Sequence, residues 1–104
     1  MSAFGTKLRL LDGGVYSFWC PGCDRGHKVH VDSENSVGAK WSFNGDGNAP
    51  TFSPSIHLQI EYGDGRRVTR CHSFVTNGQI QFLADCAHAL AGQTVALPDF
   101  GDRT

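Results

Sequence analysis

The chain has 104 residues, of which 39% are hydrophobic and 11% aromatic, with 13 glycines and a net charge of -1. Its length fits a single domain over residues 1–104, and its composition favours short strands joined by tight turns over a helical bundle. The charge gives no general attraction to polyphosphate, so a nucleic-acid partner is not expected. No apolar run approaches the roughly 20 residues of a membrane span, and the N-terminus lacks the apolar stretch of a secretory signal. We therefore expect a cytoplasmic protein with no membrane partner.

The first third of the sequence predicts a hairpin that leads into a cysteine-containing turn. Asp12-Gly13-Gly14 separates two apolar segments, 7–11 and 15–19, and glycine supplies the positive φ angles that hairpin turns need. Residues 20–26 have the composition of a tight turn, and the alternation at 27–31 predicts another strand. The first cysteine is therefore expected at the end of a strand.

The rest of the sequence predicts more strands and one helix. Strands are predicted at 41–43, 55–62, 66–71, 73–75, 79–83 and 93–97. The largest predicted loop covers 44–50, and Asn77-Gly78 is a strong hairpin signal. A short helix is predicted over Cys86 to Ala91, because Asp85 can cap its start and Gly92 can end it. The predicted fold is mainly β, with one short helix near the C-terminus.

Four cysteines in a reducing compartment favour a metal site over disulfides. Cys20 and Cys23 are separated by two residues, a spacing that lets both thiolates bind one ion, and Gly22 permits the tight turn. A redox pair of the thioredoxin type normally opens a helix, which this segment does not predict. Cys71 and Cys86 complete a tetrahedral set. The sequence thus predicts one Zn²⁺ ion and a zinc knuckle in a small antiparallel β domain.

The fourth ligand stays open at this stage. His72, His88 and His27 each lie close to a cysteine in the sequence, and each could replace Cys86. Adjacent residues of a strand point to opposite faces, so Cys71 and His72 are not expected to bind one ion together unless the strand ends there. Three thiolates with one imidazole are therefore an alternative to four thiolates.

Two roles are open for the predicted metal. A closed set of four protein ligands would give the metal a structural role. His72 and His88 could then hydrogen-bond the metal-bound sulfurs. An open three-ligand site would activate water, with His72, His88 or Asp46 as proton carriers. The thiolate-rich set favours the structural role. Cys86, behind Asp85 at a helix start, is a further candidate as a nucleophile that needs no metal.

Six segments of the chain carry a resemblance that runs from Tyr16 to Leu97. They are CPGC (20–23), WSFNGD (41–46), PTFSPSI (50–56), CHSF (71–74), IQFLADCAH (80–88) and LAGQTV (90–95). Together they resemble a family of small zinc-binding proteins of phages, prophages and bacteria. The function of that family is unknown, and some members carry the label ammonia monooxygenase.

The resemblance implies a zinc-binding fold, often of phage or prophage origin. It does not imply an oxygenase, because the chain does not concentrate the ligands of copper or iron. More distant relatives have a Cys-Ser-His-like order in place of Cys71 to Phe74, and some lie beside bacterial ubiquitin-like conjugation genes. The function predicted first is a small domain with a structural zinc ion that acts through a phage or host protein. The alternative is a zinc-dependent hydrolase or peptidase, which could act on ubiquitin-like protein modifiers.

Overall fold

The computed structural model describes residues 2–101, which form nine antiparallel strands in two sheets. The first sheet contains, in spatial order, β1 (Ser2–Phe4), β2 (Leu8–Leu11), β3 (Val15–Cys20) and β4 (Arg25–His30). The second contains, in spatial order, β5 (Ser42–Phe43), β6 (Phe52–Glu61), β7 (Arg67–Thr76), β8 (Gln79–Phe82) and β9 (Thr94–Ala96). The mainly β prediction is confirmed.

Both hairpins predicted from glycine-containing turns are confirmed. Leu11 pairs with Val15 at the end of the β2–β3 hairpin, and Gly13 and Gly14 have φ angles of +77° and +72°. The β7–β8 hairpin turns at Asn77-Gly78, where both φ angles are positive. These turns fix which strands are neighbours, because a two- or three-residue connection leaves only an antiparallel return.

The longest pairing joins β6 and β7, which have ten residues each. Where the sequence predicted two segments around His72, the structure has the one continuous strand β7. In this register His57 lies opposite His72, and Leu58 lies opposite Cys71. Because side chains alternate between faces, Cys71 and His72 point to opposite sides of the second sheet.

The two sheets bury one common core. Its members from the strands are Leu8, Phe18, Cys20, Val29, Phe52, Ile56, Cys71, Val75, Ile80 and Phe82. The rings of Phe18 and Phe52 stack across the two sheets with centroids 6.5 Å apart. Cys20 and Cys71 therefore meet in the apolar interior between the sheets.

The helix predicted over Cys86 to Ala91 is wrong, because residues 2–101 contain no helix and this segment is a series of turns. The N–H of Leu83 donates to the carbonyl of His72 at 2.9 Å, and the N–H of Ala87 donates to the carbonyl of Arg70 at 2.9 Å. These bonds tie the segment to β7 and hold it as a series of turns. The described residues accordingly provide no helix that could cross a lipid bilayer.

Candidate functional site

Three cysteines and one histidine meet between the sheets, and we call this group the thiolate cluster. Cys20 ends β3, Cys23 lies in the following turn, His27 belongs to β4 and Cys71 to β7. One potential ligand atom from each residue lies within 4.8 Å of the other three, and all four residues are buried. The sulfurs of Cys20 and Cys71 are 3.9 Å apart. That separation suits two thiolates sharing a tetrahedral zinc ion with bonds of about 2.3 Å.

Local contacts shape the turn between the first two cysteines. The N–H of Cys23 donates to Sγ of Cys20 at 3.4 Å, and the N–H of Asp24 donates to the carbonyl of Cys20 at 2.8 Å. A Cβ atom on Gly22 would overlap the imidazole of His88. Gly22 is therefore needed because the ring of His88 packs directly against it. The sequence of the turn does not reveal this reason.

The cysteines of the cluster have unequal proton affinities. The hydrogen bond with Cys71 lowers the pKa of Cys20 to about 4, and the same contact raises the pKa of Cys71. Burial raises the pKa of the Cys23 thiol. The contact thus favours the thiolate form of Cys20, with a neighbouring thiol as hydrogen-bond donor. A buried negative charge favours a cation, which would displace the remaining thiol protons.

His27 and His88 both approach the cysteines, but their hydrogen bonds differ. Nε2 of His27 is buried and has no hydrogen-bond partner of acceptable geometry within residues 2–101. Leaving a buried nitrogen unpaired is unfavourable, and coordination of a metal would satisfy it. Nδ1 of His88 accepts a hydrogen bond from the N–H of Leu90 at 3.2 Å, and its Nε2 lies 3.6 Å from Sγ of Cys71. This tautomer makes His88 a donor to sulfur, so His27 fits the fourth ligand position better.

Cys86, the fourth donor predicted from the sequence, belongs to a second group with Cys71 and His88. Its sulfur accepts a hydrogen bond from the N–H of His72 at 3.1 Å and donates one to the carbonyl of His72 at 3.1 Å. The half-buried side chain of Cys86 thus hydrogen-bonds both the backbone N–H and the carbonyl of His72. The contacts make Cys86 a support for His72.

On the outer face of the second sheet, hydrogen bonds link Ser55, His72 and Asp85, which we call the triad. Oγ of Ser55 lies 3.3 Å from Nε2 of His72, and Nδ1 of His72 lies 3.2 Å from Oδ2 of Asp85. One imidazole therefore contacts a hydroxyl through one nitrogen and a carboxylate through the other. In serine hydrolases this arrangement lets the imidazole accept the hydroxyl proton while the carboxylate fixes its tautomer.

The two longest strands position the serine and the histidine of the triad. His57 lies opposite His72 in the register, so Ser55, two residues before His57, faces the same side of the sheet. The indole N–H of Trp41 donates to the carbonyl of Ser55 at 3.2 Å. The rings of His57 and His72 stack with centroids 4.4 Å apart and an angle of 21° between their planes. The hydroxyl and the imidazole are thus both carried by hydrogen-bonded strands.

A family comparison agrees with this geometry. Residues 5–83, more than half of the chain, match the family described as bacterial ubiquitination-like system serine protease (BubE). The chain belongs to the BubE family. The match contains Ser55 and His72, whereas Asp85 lies two residues beyond its end. No curated protein and no solved structure matches the chain significantly.

Membership of the BubE family supports part of the resemblance drawn from the sequence. The family is bacterial, and its description names a ubiquitination-like system, in agreement with the gene neighbourhood of the more distant relatives. The description names neither phages nor zinc. A phage origin and the identity of the metal are therefore still predictions.

The structure separates the three side chains that the sequence suggested as proton carriers in this BubE-family chain. His72 lies at the centre of the triad. His88 lies against Cys71 and Gly22 instead. The carboxylate of Asp46 accepts hydrogen bonds from the N–H groups of the next residues, Asn48 at 2.9 Å and Ala49 at 3.1 Å, within its own loop.

Sequence reasoning missed two members of the triad. Ser55 lies between Pro54 and Ile56 near the start of a long strand and lacks the glycine-rich elbow that often surrounds a nucleophilic serine. Asp85 has the sequence position of a helix cap, which hides its contact with His72. The available signal was the order of a serine, a histidine and an acid along the chain, and that pattern is too common to select these residues.

Proposed function

We propose that this member of the BubE family is a serine hydrolase that cleaves an amide bond, with Ser55 as nucleophile, His72 as general base and Asp85 as the orienting acid. The observation that carries the proposal is the pair of hydrogen bonds that join these side chains. The serine protease in the family description supports it independently of the geometry.

In this reaction the oxygen of Ser55 bonds to the carbonyl carbon of the substrate while Nε2 of His72 takes the hydroxyl proton. The carboxylate of Asp85 stabilises the imidazolium that forms. His72 then gives the proton to the leaving amine, the carbon–nitrogen bond breaks, and an acyl ester on Ser55 is left. Water, deprotonated by His72, hydrolyses the ester and restores the serine.

For the substrate we propose a ubiquitin-like protein modifier, cleaved at its C-terminal extension or at its bond to another protein. The family description supports this class of substrate. The site is open to a protein tail, since the side chain of Asp85 is 51% exposed and that of His72 is 24% exposed. A cleft of about 160 Å³ is lined by Trp41, His57 and Leu58, among others, and the ring of His57 stacks on that of His72. The cleft has room for a few atoms of an extended chain.

We further propose that the thiolate cluster binds one structural Zn²⁺ ion through Cys20, Cys23, Cys71 and His27. Three thiols and an imidazole are a common donor set for structural zinc, and the cluster supplies four buried donors within reach of one ion. Burial supports a closed site with no position for a substrate. The zinc-dependent hydrolysis considered from the sequence is less well supported, because the triad provides a nucleophile outside this cluster.

The test is covalent labelling of the nucleophile. A fluorophosphonate probe should label the purified protein at Ser55, as located by peptide mass spectrometry, and Ser55→Ala should abolish both labelling and cleavage of a modifier fused to a C-terminal peptide. Ser53→Ala, at an exposed serine of the same strand, is the matched control and should be labelled normally. Unchanged cleavage by Ser55→Ala would exclude the proposed mechanism.

A further inference from the structure

A third group of potential metal ligands lies outside the thiolate cluster. Ligand atoms of His57, His72 and Asp85 lie within 4.8 Å of one another. We propose that these three residues form a second, exchangeable site for a transition-metal ion of the zinc type, and that an ion bound there inhibits the hydrolase. The metal site stands on this geometry alone, whereas its inhibitory effect rests on the proposed function.

The donors at this site suit such an ion. Two imidazoles and one carboxylate form a set that Zn²⁺ and its neighbours in the first transition series bind well. Water molecules would complete the coordination. His57 and His72 face each other across the strand pair, so no rearrangement of the sheet is needed to bring the imidazoles together.

Exposure distinguishes this site from the thiolate cluster. His57 is exposed, and the side chain of Asp85 is 51% exposed, so an ion can reach the site directly from solvent. The ligands of the thiolate cluster are all buried. We therefore infer a permanent ion in the core and an exchangeable ion on the outer face.

A metal on His72 would block its action as a base whichever nitrogen binds the ion. Bound at Nε2, the ion occupies the lone pair that must accept the proton of Ser55. Bound at Nδ1, it replaces the hydrogen bond to Asp85 and leaves the imidazole hydrogen on Nε2, which then cannot accept a proton. Inhibition thus follows from the chemistry of one imidazole.

His57 is the residue that separates this metal site from the triad. Its Nε2 lies 2.7 Å from Oγ1 of Thr69, which fixes the orientation of the ring, and the proposed reaction gives it no proton to transfer. His57→Gln therefore tests the metal site while all three members of the triad are retained. His30→Gln, at a histidine in none of the metal-ligand groups of the described residues, is the matched control.

The first experiment measures binding. Protein already loaded with zinc is titrated with Co²⁺ and followed by absorption spectroscopy. We expect the protein to bind one further equivalent of Co²⁺, with a spectrum that lacks thiolate-to-metal charge transfer. The His30→Gln and Ser55→Ala variants should bind it too. His57→Gln should lose this equivalent, with its affinity for Co²⁺ reduced tenfold or more. Removing a hydrogen-bond partner of a ligand lowers metal affinity roughly 10- to 100-fold, and removing a ligand should cost at least as much. No further equivalent, or an unchanged one in His57→Gln, would overturn the proposal.

The second experiment measures inhibition. Cleavage rates are recorded against free Zn²⁺, each variant being compared with its own rate without added metal. We expect inhibition that gel filtration reverses, with a half-inhibitory concentration about tenfold or more higher in His57→Gln than in His30→Gln. Equal inhibition of both variants contradicts the proposal. Absence of fluorophosphonate labelling at Ser55, with the His57-dependent ion still bound, would instead remove the proposed function and leave the metal site standing.

Discussion

Cys71 and His72 are consecutive residues of β7 that belong to different sites on opposite faces of one sheet. Sγ of Cys71 lies in the buried thiolate cluster, 3.9 Å from Sγ of Cys20. The imidazole of His72 faces outwards, 3.3 Å from the hydroxyl of Ser55. The peptide that joins the proposed zinc ligand to the proposed base is therefore a direct mechanical link between the two sites.

Removal of the metal should consequently remove both stability and activity. Structural zinc contributes on the order of 10 kcal/mol in zinc-finger peptides, which is comparable with the whole stability of a small domain. Cys20→Ser should therefore contain no metal, melt at a much lower temperature and show no cleavage. Elemental analysis of the unmodified protein should find about one zinc per chain.

The control for that experiment is Ser55→Ala, which should lose cleavage while keeping its zinc and its melting temperature. A Cys20→Ser protein that retains metal and melts normally would show that the thiolate cluster is not the metal site.

The two histidines beside the cluster should respond differently to substitution. His27→Ala removes a proposed ligand whose Nε2 is buried and otherwise unpaired, so zinc should be lost. His88→Ala removes a donor to Cys71 and an acceptor for the N–H of Leu90 but no proposed ligand, so about one zinc should stay bound with affinity reduced roughly 10- to 100-fold. Competition with a chromophoric chelator measures both. The reverse result, a loaded His27→Ala and an empty His88→Ala, would make His88 the ligand.

Cys86→Ala should act on the triad through the backbone of His72. The substitution removes two hydrogen bonds to that residue, for which we expect destabilisation of about 1 kcal/mol. Misplacement of the imidazole should lower kcat about tenfold, since a displacement of 1 Å can cost as much as roughly 100-fold. Cys86→Ser, which keeps a donor and an acceptor, should restore part of the rate.

The metal content of Cys86→Ala decides between the two roles of this cysteine. It should stay near that of the unmodified protein, because His27 is the proposed fourth ligand. Loss of the zinc would return Cys86 to the ligand position predicted from the sequence.

Asp85→Asn should lower kcat by about 10³- to 10⁴-fold, the scale of the loss when a triad loses its acid and the imidazole takes the wrong tautomer. The carboxyl side chain is 51% exposed, so melting temperature and zinc content should change little. Asp46→Asn is the control, because that carboxylate bonds only the backbone of its own loop in the described contacts. An equal fall in kcat for both variants would contradict the assignment of Asp85.

Most of the strands, the glycine-containing turns and the cysteine pair could be predicted because their causes are local. Alternation of apolar residues, glycines with positive φ angles and the two-residue spacing of Cys20 and Cys23 act over a few neighbouring positions. The predicted helix was wrong because distant contacts determine the conformation of that segment. Asp85 and Gly92 provide helix-end signals, but hydrogen bonds to β7, more than ten residues earlier, determine the conformation between them.

The sequence alone determined the mainly β fold and the candidate ligand pair Cys20 and Cys23, since both follow from periodicity and short-range spacing. Tertiary structure decided which side chains meet. The register of β6 on β7 sets Ser55 near His72, and the return of the chain after β8 brings Asp85 to the same imidazole. Contacts of this kind depend on strand pairing across many residues, and no local pattern records them.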